Sequence, residues 1–259
     1  MLPADRGQLL NYGTKIGELF DMNTKLSSGQ LKSLAKGQLL GKYGAAISTE
    51  LAVGALLFML SLICSLITDS NSMIGQIFAF LISLVLEIFS GIFMMGLARF
   101  YLNLSCNHPY NTSDAFVGFH SHADRIIAVK AFTLILELLC FAPALLCAFL
   151  YDCLQSAVCF LIMSIFLVIG GILYAYISLT YSQVYYMMSD FPEYTARKLL
   201  SASHRVMKGH KGRLFYIEVS LIPYFLAGIC SCGIAFLWIL PFKHTLEADF
   251  YLDLMHRQD

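Results

Sequence analysis

Residues 73–98 read MIGQIFAFLISLVLEIFSGIFMMGLA, an unbroken apolar run whose one ionisable side chain is Glu87. At about 1.5 Å of rise per residue, a helix of that length exceeds the ~30 Å hydrocarbon core of a bilayer. The run begins after a polar break, Thr68-Asp69-Ser70-Asn71-Ser72, and ends at Arg99. Before the break, Ser48 to Ile67 is another apolar run of near-spanning length. Two such runs joined by a short polar turn read as a transmembrane hairpin, and the rest of the chain is read outward from it.

The composition agrees. Of 259 residues, 58% are hydrophobic and 13% charged, against about 25% charged in soluble domains. Mean hydropathy is +0.69. Net charge is zero, so nothing favours nucleic acid as a partner. Residues 1–27 form a polar tail without the short apolar core of a secretory signal, and the first span is expected to insert as an anchor that is retained.

Four more apolar segments follow, at about 126–150, 156–188, 214–229 and 233–251. With 48–67 and 73–98 they give six expected spans in one membrane domain, 28–255, followed by a short tail at 256–259. Pro143 is expected to kink the third span. The Tyr-rich end of the fourth (Tyr181, Tyr185, Tyr186) is expected to protrude through the headgroups. The last two segments could be one long helix, but charge favours a hairpin turning at Cys230–Gly233. Lys and Arg cluster before residue 48, from Arg99 to Lys130, and from Arg197 to Arg213, while the turns at 68–73 and 151–156 hold none. Basic loops face the cytoplasm, and a hairpin returns Lys243 and Arg257 to that side. The expected fold is an all-α, multi-pass bundle with both termini cytoplasmic.

Each hairpin is preceded by an amphipathic stretch. Leu31, Leu34, Ala35 and Leu39 form the first apolar stripe, with Lys32 and Lys36 on other faces. Phe116, Phe119, Ala123 and Ile126 form the second, after an expected cap at Ser113. Leu199, Leu200, Ser203, Val206 and Met207 form the third. Such helices lie in the interface plane with cations toward lipid phosphates. Arg197, Lys198, Arg205, Lys208, Lys211 and Arg213 are therefore the candidate headgroup contacts.

The run 196–215, ARKLLSASHRVMKGHKGRLF, resembles the hallmark of a bacterial membrane family, domain-of-unknown-function family 975 (DUF975). The resemblance continues through Glu218-Val219-Ser220, Gly233-Ile234, Leu237-Trp238, Pro241 and Ala248-Asp249-Phe250-Tyr251, and reaches back to Asp114–Phe119. Its motif residues here include Gly209, Glu218, Ser220, Pro241 and Tyr251. Glu218 stands where the pattern expects aspartate, and Cys230-Ser231-Cys232 replaces a turn usually without cysteines. The resemblance implies a bacterial plasma-membrane protein and no particular activity.

Candidate chemistry is sparse. Glu87 and Glu137 fall near the expected bilayer midplane, where a charge costs at least about 2.5–3.5 kcal/mol. They could form a proton- or cation-coupled site, or be neutral carboxyls hydrogen-bonded to Ser83, Ser90 or Thr133. Lys130 is expected to snorkel away rather than pair with them. His120, His122 and Asp124 resemble a fragment of a metal site, but residues two apart on a helix diverge by about 200°, and no metal or cofactor is expected. Cys153, Cys159, Cys230 and Cys232 are expected near the outer face, where a disulfide is conceivable. HExxH, GxSxG, Walker A and dinucleotide-binding glycine patterns are absent from the sequence. The expectation is a non-enzymatic membrane module that binds membrane lipid or a membrane-protein partner. The alternative is a small-solute or ion transporter using Glu87 and Glu137.

Overall fold

Where the polar N-terminal region gives way to the first apolar stripe, Ser27 and Gln30 form a capping box. Ser27 N donates to Gln30 Oε1 (2.7 Å) and Gln30 N to Ser27 Oγ (3.3 Å), satisfying two donors that the helix itself leaves open. This starts α1 (Ser28–Leu39), whose Leu31, Leu34, Ala35 and Leu39 are all buried. The computed structural model describes residues 26–67, 72–120 and 123–256. Most of the N-terminal tail, the turn at 68–71, Ser121, His122 and Arg257 lie outside the described residues.

The helices that follow are α2 (Tyr43–Ile67), α3 (Met73–Cys106), α4 (Ala123–Leu154), α5 (Ala157–Tyr181) and α6 (Val184–Asp190). Then come α7 (Ala196–Val206), α8 (Lys211–Val219), α9 (Ile222–Cys230) and α10 (Phe236–Met255). A 3-10 segment, Thr112–Phe119, lies between α3 and α4. Among the described residues the chain is all-helical. Five helical stretches are long and apolar enough to cross a membrane: Tyr43–Leu66, Ile74–Cys106, Ala123–Tyr151, Ala157–Asp190 and Lys211–Cys230. The chain is thus a multi-pass, all-α membrane protein.

Several expected boundaries shift for identifiable reasons. The second span runs on through Arg99 to Cys106, because Asn107 in the left-handed conformation (φ 57°) supplies the terminating cap. The 3-10 segment is capped by Asn111, not Ser113: the Asn111 side chain accepts from Ser113 N, and Asp114 reaches back to Asn111 N. The helix through Pro143 continues. The long fourth segment breaks at Ser182–Gln183 into α5 and α6. The turn at Cys230–Gly233 is present, with Cys232 (φ 54°) and Gly233 (φ 91°) both left-handed. The sixth expected span falls on α10, which is not among the five because it carries Lys243, His244, Glu247, Asp249 and Asp253.

Burial is uneven along these helices. The core gathers α1, the C-terminal half of α3, α6, the inner face of α7, and α10 from Pro241 to Leu254. At its centre the backbones of α3 and the 3-10 segment touch. A Cβ on Gly96 would lie 2.0 Å from Ala115 O, and one on Gly118 would lie 2.6 Å from Ile92 O. No side chain larger than hydrogen fits at either place. Away from this core, α2, the first half of α3, α4 and α5 expose apolar side chains along their length, the side-chain character required of helix faces that meet lipid.

A basic groove and a buried ion network

The chain enters α7 through Phe191–Thr195, a segment pinned by Arg125 of α4. Arg125 Nη1 donates to the carbonyls of Pro192 and Tyr194, and the Phe191 and Tyr194 rings stack with centroids 5.0 Å apart. The apolar stripe of α7 then turns inward. Leu199, Ser203 and Val206 are buried, and Ser203 Oγ donates to Thr180 O of α5 (2.9 Å). Gly209, at φ +86°, redirects the chain into α8, a conformation that a Cβ would penalise.

With one face of α7 committed to protein, its cations face out. Arg197, Lys198, Arg205 and Lys208 are all exposed, and none is in an ion pair among the described residues. Lys198 Nζ lies 5.8 Å above the Tyr194 ring. Arg197, Lys198 and Arg205 line a groove of about 510 Å³ together with Met187, Phe191 and Met255.

The remaining two candidate headgroup cations are placed differently. Lys211 lies over the Tyr176 ring, 3.7 Å from its centroid. Arg213 is turned inward: its Nη1 pairs with Asp253 Oδ2 (2.5 Å), its Nη2 donates to Leu26 O (2.7 Å), and Phe250 lies against its guanidinium. It ties α8 to α10 and to the start of the described chain.

The second cluster was not visible in the sequence. Its core is on α10, where Lys243 Nζ lies 3.2 Å from Glu247 Oε1 and His244 Nδ1 lies 3.5 Å from Glu247 Oε2. The other ring nitrogen, Nε2, faces Glu50 Oε1 of α2 at 3.6 Å. Glu50 also accepts from Tyr101 of α3 (2.7 Å), whose ring stacks on His244. Tyr186 of α6 approaches Glu247 Oε2 and His244 O, each at 3.4 Å. Glu218 of α8 completes the set, within the electrostatic reach of Glu247 and Lys243. It also lines a smaller cavity of about 280 Å³ against Tyr174 and Ser178 of α5.

Charge balance sets the protonation behaviour on α10. Burial opposes ionisation of Glu247, but the Lys243 charge and the His244 contact outweigh it and hold the carboxyl well below its ordinary range. Burial likewise opposes a charge on His244, and the Glu247 and Glu50 carboxylates overcome it, raising its pKa. Glu247 raises Lys243. The readable signal was the i,i+4 spacing of Lys243 and Glu247 within an apolar stretch. Partners on four other helices could not be read from spacing.

The other motif residues are structural. Tyr251 is buried, donates to Asp190 Oδ2 (2.6 Å) and stacks on Tyr186; burial pushes its hydroxyl pKa well up. Pro241 is buried inside α10, and its carbonyl accepts from Thr245 Oγ1 (2.8 Å). Ser220 Oγ donates to Ile217 O at the α8–α9 bend. Of the Tyr-rich end expected to protrude through headgroups, Tyr186 is instead buried against His244, Glu247 and Tyr251 of α10, while Tyr181 and Tyr185 are partly exposed.

Glu87 and Glu137 are brought near one another, and Lys130 joins them. Lys130 Nζ sits 2.5 Å from Glu87 Oε1, correcting the expectation that this lysine snorkels away. Its aliphatic stem packs over Gly91, where an added Cβ would meet Lys130 Cβ and Cγ at 2.9 Å. Glu137 is within the electrostatic reach of both. The hydroxyls of Ser83, Ser90 and Thr133 donate to carbonyls of their own helices. Among the described residues no group of His, Cys, Asp or Glu is arranged to hold a metal ion. His122 lies outside them. Cys159, Cys230 and Cys232 are free thiols.

A family model described as "Protein of unknown function (DUF975)" matches residues 22–258. No curated protein and no solved structure matches the chain.

Proposed function

This chain belongs to the DUF975 family, and from that premise we propose that it is a non-enzymatic membrane module whose α7 face binds anionic lipid headgroups. One arrangement carries the reading. The apolar stripe of α7 is used up against protein, while Arg197, Lys198, Arg205 and Lys208 stay exposed and free of ion pairs among the described residues. A helix that only seated a hairpin would need its apolar face and not four outward cations. Each cation near an anionic surface contributes about 1 kcal/mol. On this reading the basic face is cytoplasmic and the membrane is the bacterial plasma membrane.

The test is extraction of the full chain in mild detergent, with co-purifying lipid compared with the source membrane. Enrichment of anionic lipid is expected, and it should fall away when the four cations are replaced together by glutamine. A co-purifying profile identical to the bulk membrane would refute the reading.

The competing transporter built on Glu87 and Glu137 has less support. Lys130 already offsets Glu87, and neither cavity described above is lined by either glutamate. Its test is pH-driven flux in proteoliposomes. Flux in the parent protein that Glu87→Gln with Glu137→Gln abolishes would establish it.

A further inference from the structure

The groove beside α7 is lined by two unlike kinds of side chain, and that mixture specifies more than a charged surface. Arg197, Ser201 and Arg205 fall at i, i+4 and i+8, one ridge along the helix about 12 Å long, and all three line the groove together with Lys198. The lining also holds apolar Phe191 and Met255, both partly exposed, and the nearly buried Met187. Free phosphate would satisfy the ridge and leave the apolar lining in contact with water. A bare hydrocarbon chain would leave three cations without an anion. We infer that the groove seats a single phospholipid, its phosphate over Ser201 between Arg197 and Arg205 and the first part of a chain along Phe191 and Met255.

The dimensions agree. A volume of about 510 Å³ lies within the ~300–1,000 Å³ of small-molecule sites. It holds a headgroup and the start of a chain, the remainder running out of the groove. Arginine suits the task because its planar fork meets two phosphate oxygens at once. The apolar lining is adaptable, since methionine repacks readily around chains of different shape. The loop that carries Phe191 and Tyr194 is held by Arg125, so that part of the lining is already in place before a lipid arrives.

This inference rests on the lipid-binding reading above, and the two separate experimentally. The purified full chain is equilibrated with equal amounts of dioleoyl phosphatidylglycerol and dioleoyl phosphatidylcholine, and retained lipid is counted by native mass spectrometry. Three variants accompany it: Arg197→Gln with Arg205→Gln, Ser201→Trp, and, as a charge-removal control away from α7, Arg99→Gln, an exposed cation of α3 that does not line the groove. Ser201 is exposed, so the indole fills the groove without touching the core, and thermal unfolding checks that each variant folds. The expected result is one retained phosphatidylglycerol per chain. Its excess over phosphatidylcholine should drop about tenfold in the double arginine variant and equally in Ser201→Trp, and hold in Arg99→Gln. If Ser201→Trp keeps the lipid while the double arginine variant loses it, α7 attracts lipid diffusely and the groove is overturned, with the broader reading intact. If millimolar inorganic phosphate displaces the lipid completely, the site is a phosphate site and the lipid assignment fails. No preference for phosphatidylglycerol in the parent protein removes both readings.

Discussion

The α4–α5 hairpin and α10 reverse the usual relation between polarity and burial. Over its most apolar window, α4 is 6% buried, and so is α5 with its α6 extension. Ile172 of α5, for example, is 66% exposed. By contrast, α10 carries Lys243, His244, Glu247, Asp249 and Asp253, and yet from Pro241 to Leu254 every residue is buried except Lys243, His244 and Glu247, which are only partly exposed. In water this would be inside-out. In a membrane it follows from the solvent. Lipid is as apolar as a leucine side chain, so apolar faces gain little by turning inward. Charged groups have no place to go except a protein interior that pairs them. Along these two regions polarity therefore marks the inside and apolarity the outside.

That comparison can be broken at four places. The largest effect is expected at Gly96, where α3 meets the backbone of Ala115. Gly96→Leu must push two backbones apart rather than shift a side chain, and its cost should exceed the ~1–3 kcal/mol usual for an overpacked core, read as loss of the folded population in a denaturant titration in detergent. The next is expected at the pair that joins α8 to α10. Asp253→Asn leaves Arg213 without its counter-charge in a site where the two side chains are 17% and 6% exposed. Loss of one partner of such a pair costs roughly 3–5 kcal/mol. Arg213→Met with Asp253→Leu should recover much of that loss, because no unpaired charge then remains. A double variant as unstable as the single one would mean that the Leu26 carbonyl contact, and not charge pairing, is what matters.

The α10 network should appear in the pH dependence of stability. Glu247 is depressed in the folded state, so its contribution is present above the ordinary carboxylate value of about 4.3 and is lost as pH falls toward the depressed value. His244 is raised, so its contribution is present below the ordinary histidine value of about 6.5 and is lost as pH climbs through the raised one. The groups facing His244 are Glu50, Tyr101, Lys243, Glu247 and the Tyr186 hydroxyl. Thermal unfolding in detergent should therefore peak between the two ordinary values. His244→Asn should flatten the alkaline limb and Glu247→Gln the acid limb. A profile unchanged by either substitution would show that the network does not titrate in this range.

The sequence made the outer regions legible and left the inside largely hidden, for one physical reason. A span facing lipid is set by its own length and apolarity, both local properties, and the hairpins at 48–98 and 126–188 were read from them. The stripes on α1 and α7 were read as well, since helical spacing is local. What could not be read was partnership across long separations: Glu50 with His244, Lys130 with Glu87, Arg213 with Asp253. Each charge looked expensive or solvated alone, and only the folded chain shows what offsets it. Tyr186 follows the same rule, because its partners His244, Glu247 and Tyr251 lie about 60 residues away on α10.

The smallest effect is expected on the lipid-facing side, and it is the sharpest control. A Cβ on Gly171 of α5 would meet nothing within 4 Å, and its neighbour Ile172 points away from the protein. If lipid rather than protein packs these positions, Gly171→Ala should be neutral or slightly favourable, since alanine is the better helix former by up to about 1 kcal/mol in water. Ile172→Ala should cost well under the 2–5 kcal/mol typical of a buried isoleucine, because lipid chains flow into the vacated space and no cavity remains. The measurement is the same denaturant titration used for Gly96→Leu. A large loss at Ile172 would mean that the hairpin is covered by protein in the membrane, either a second copy of this chain or another subunit. The inverted pattern would then describe an isolated chain and not its assembled state.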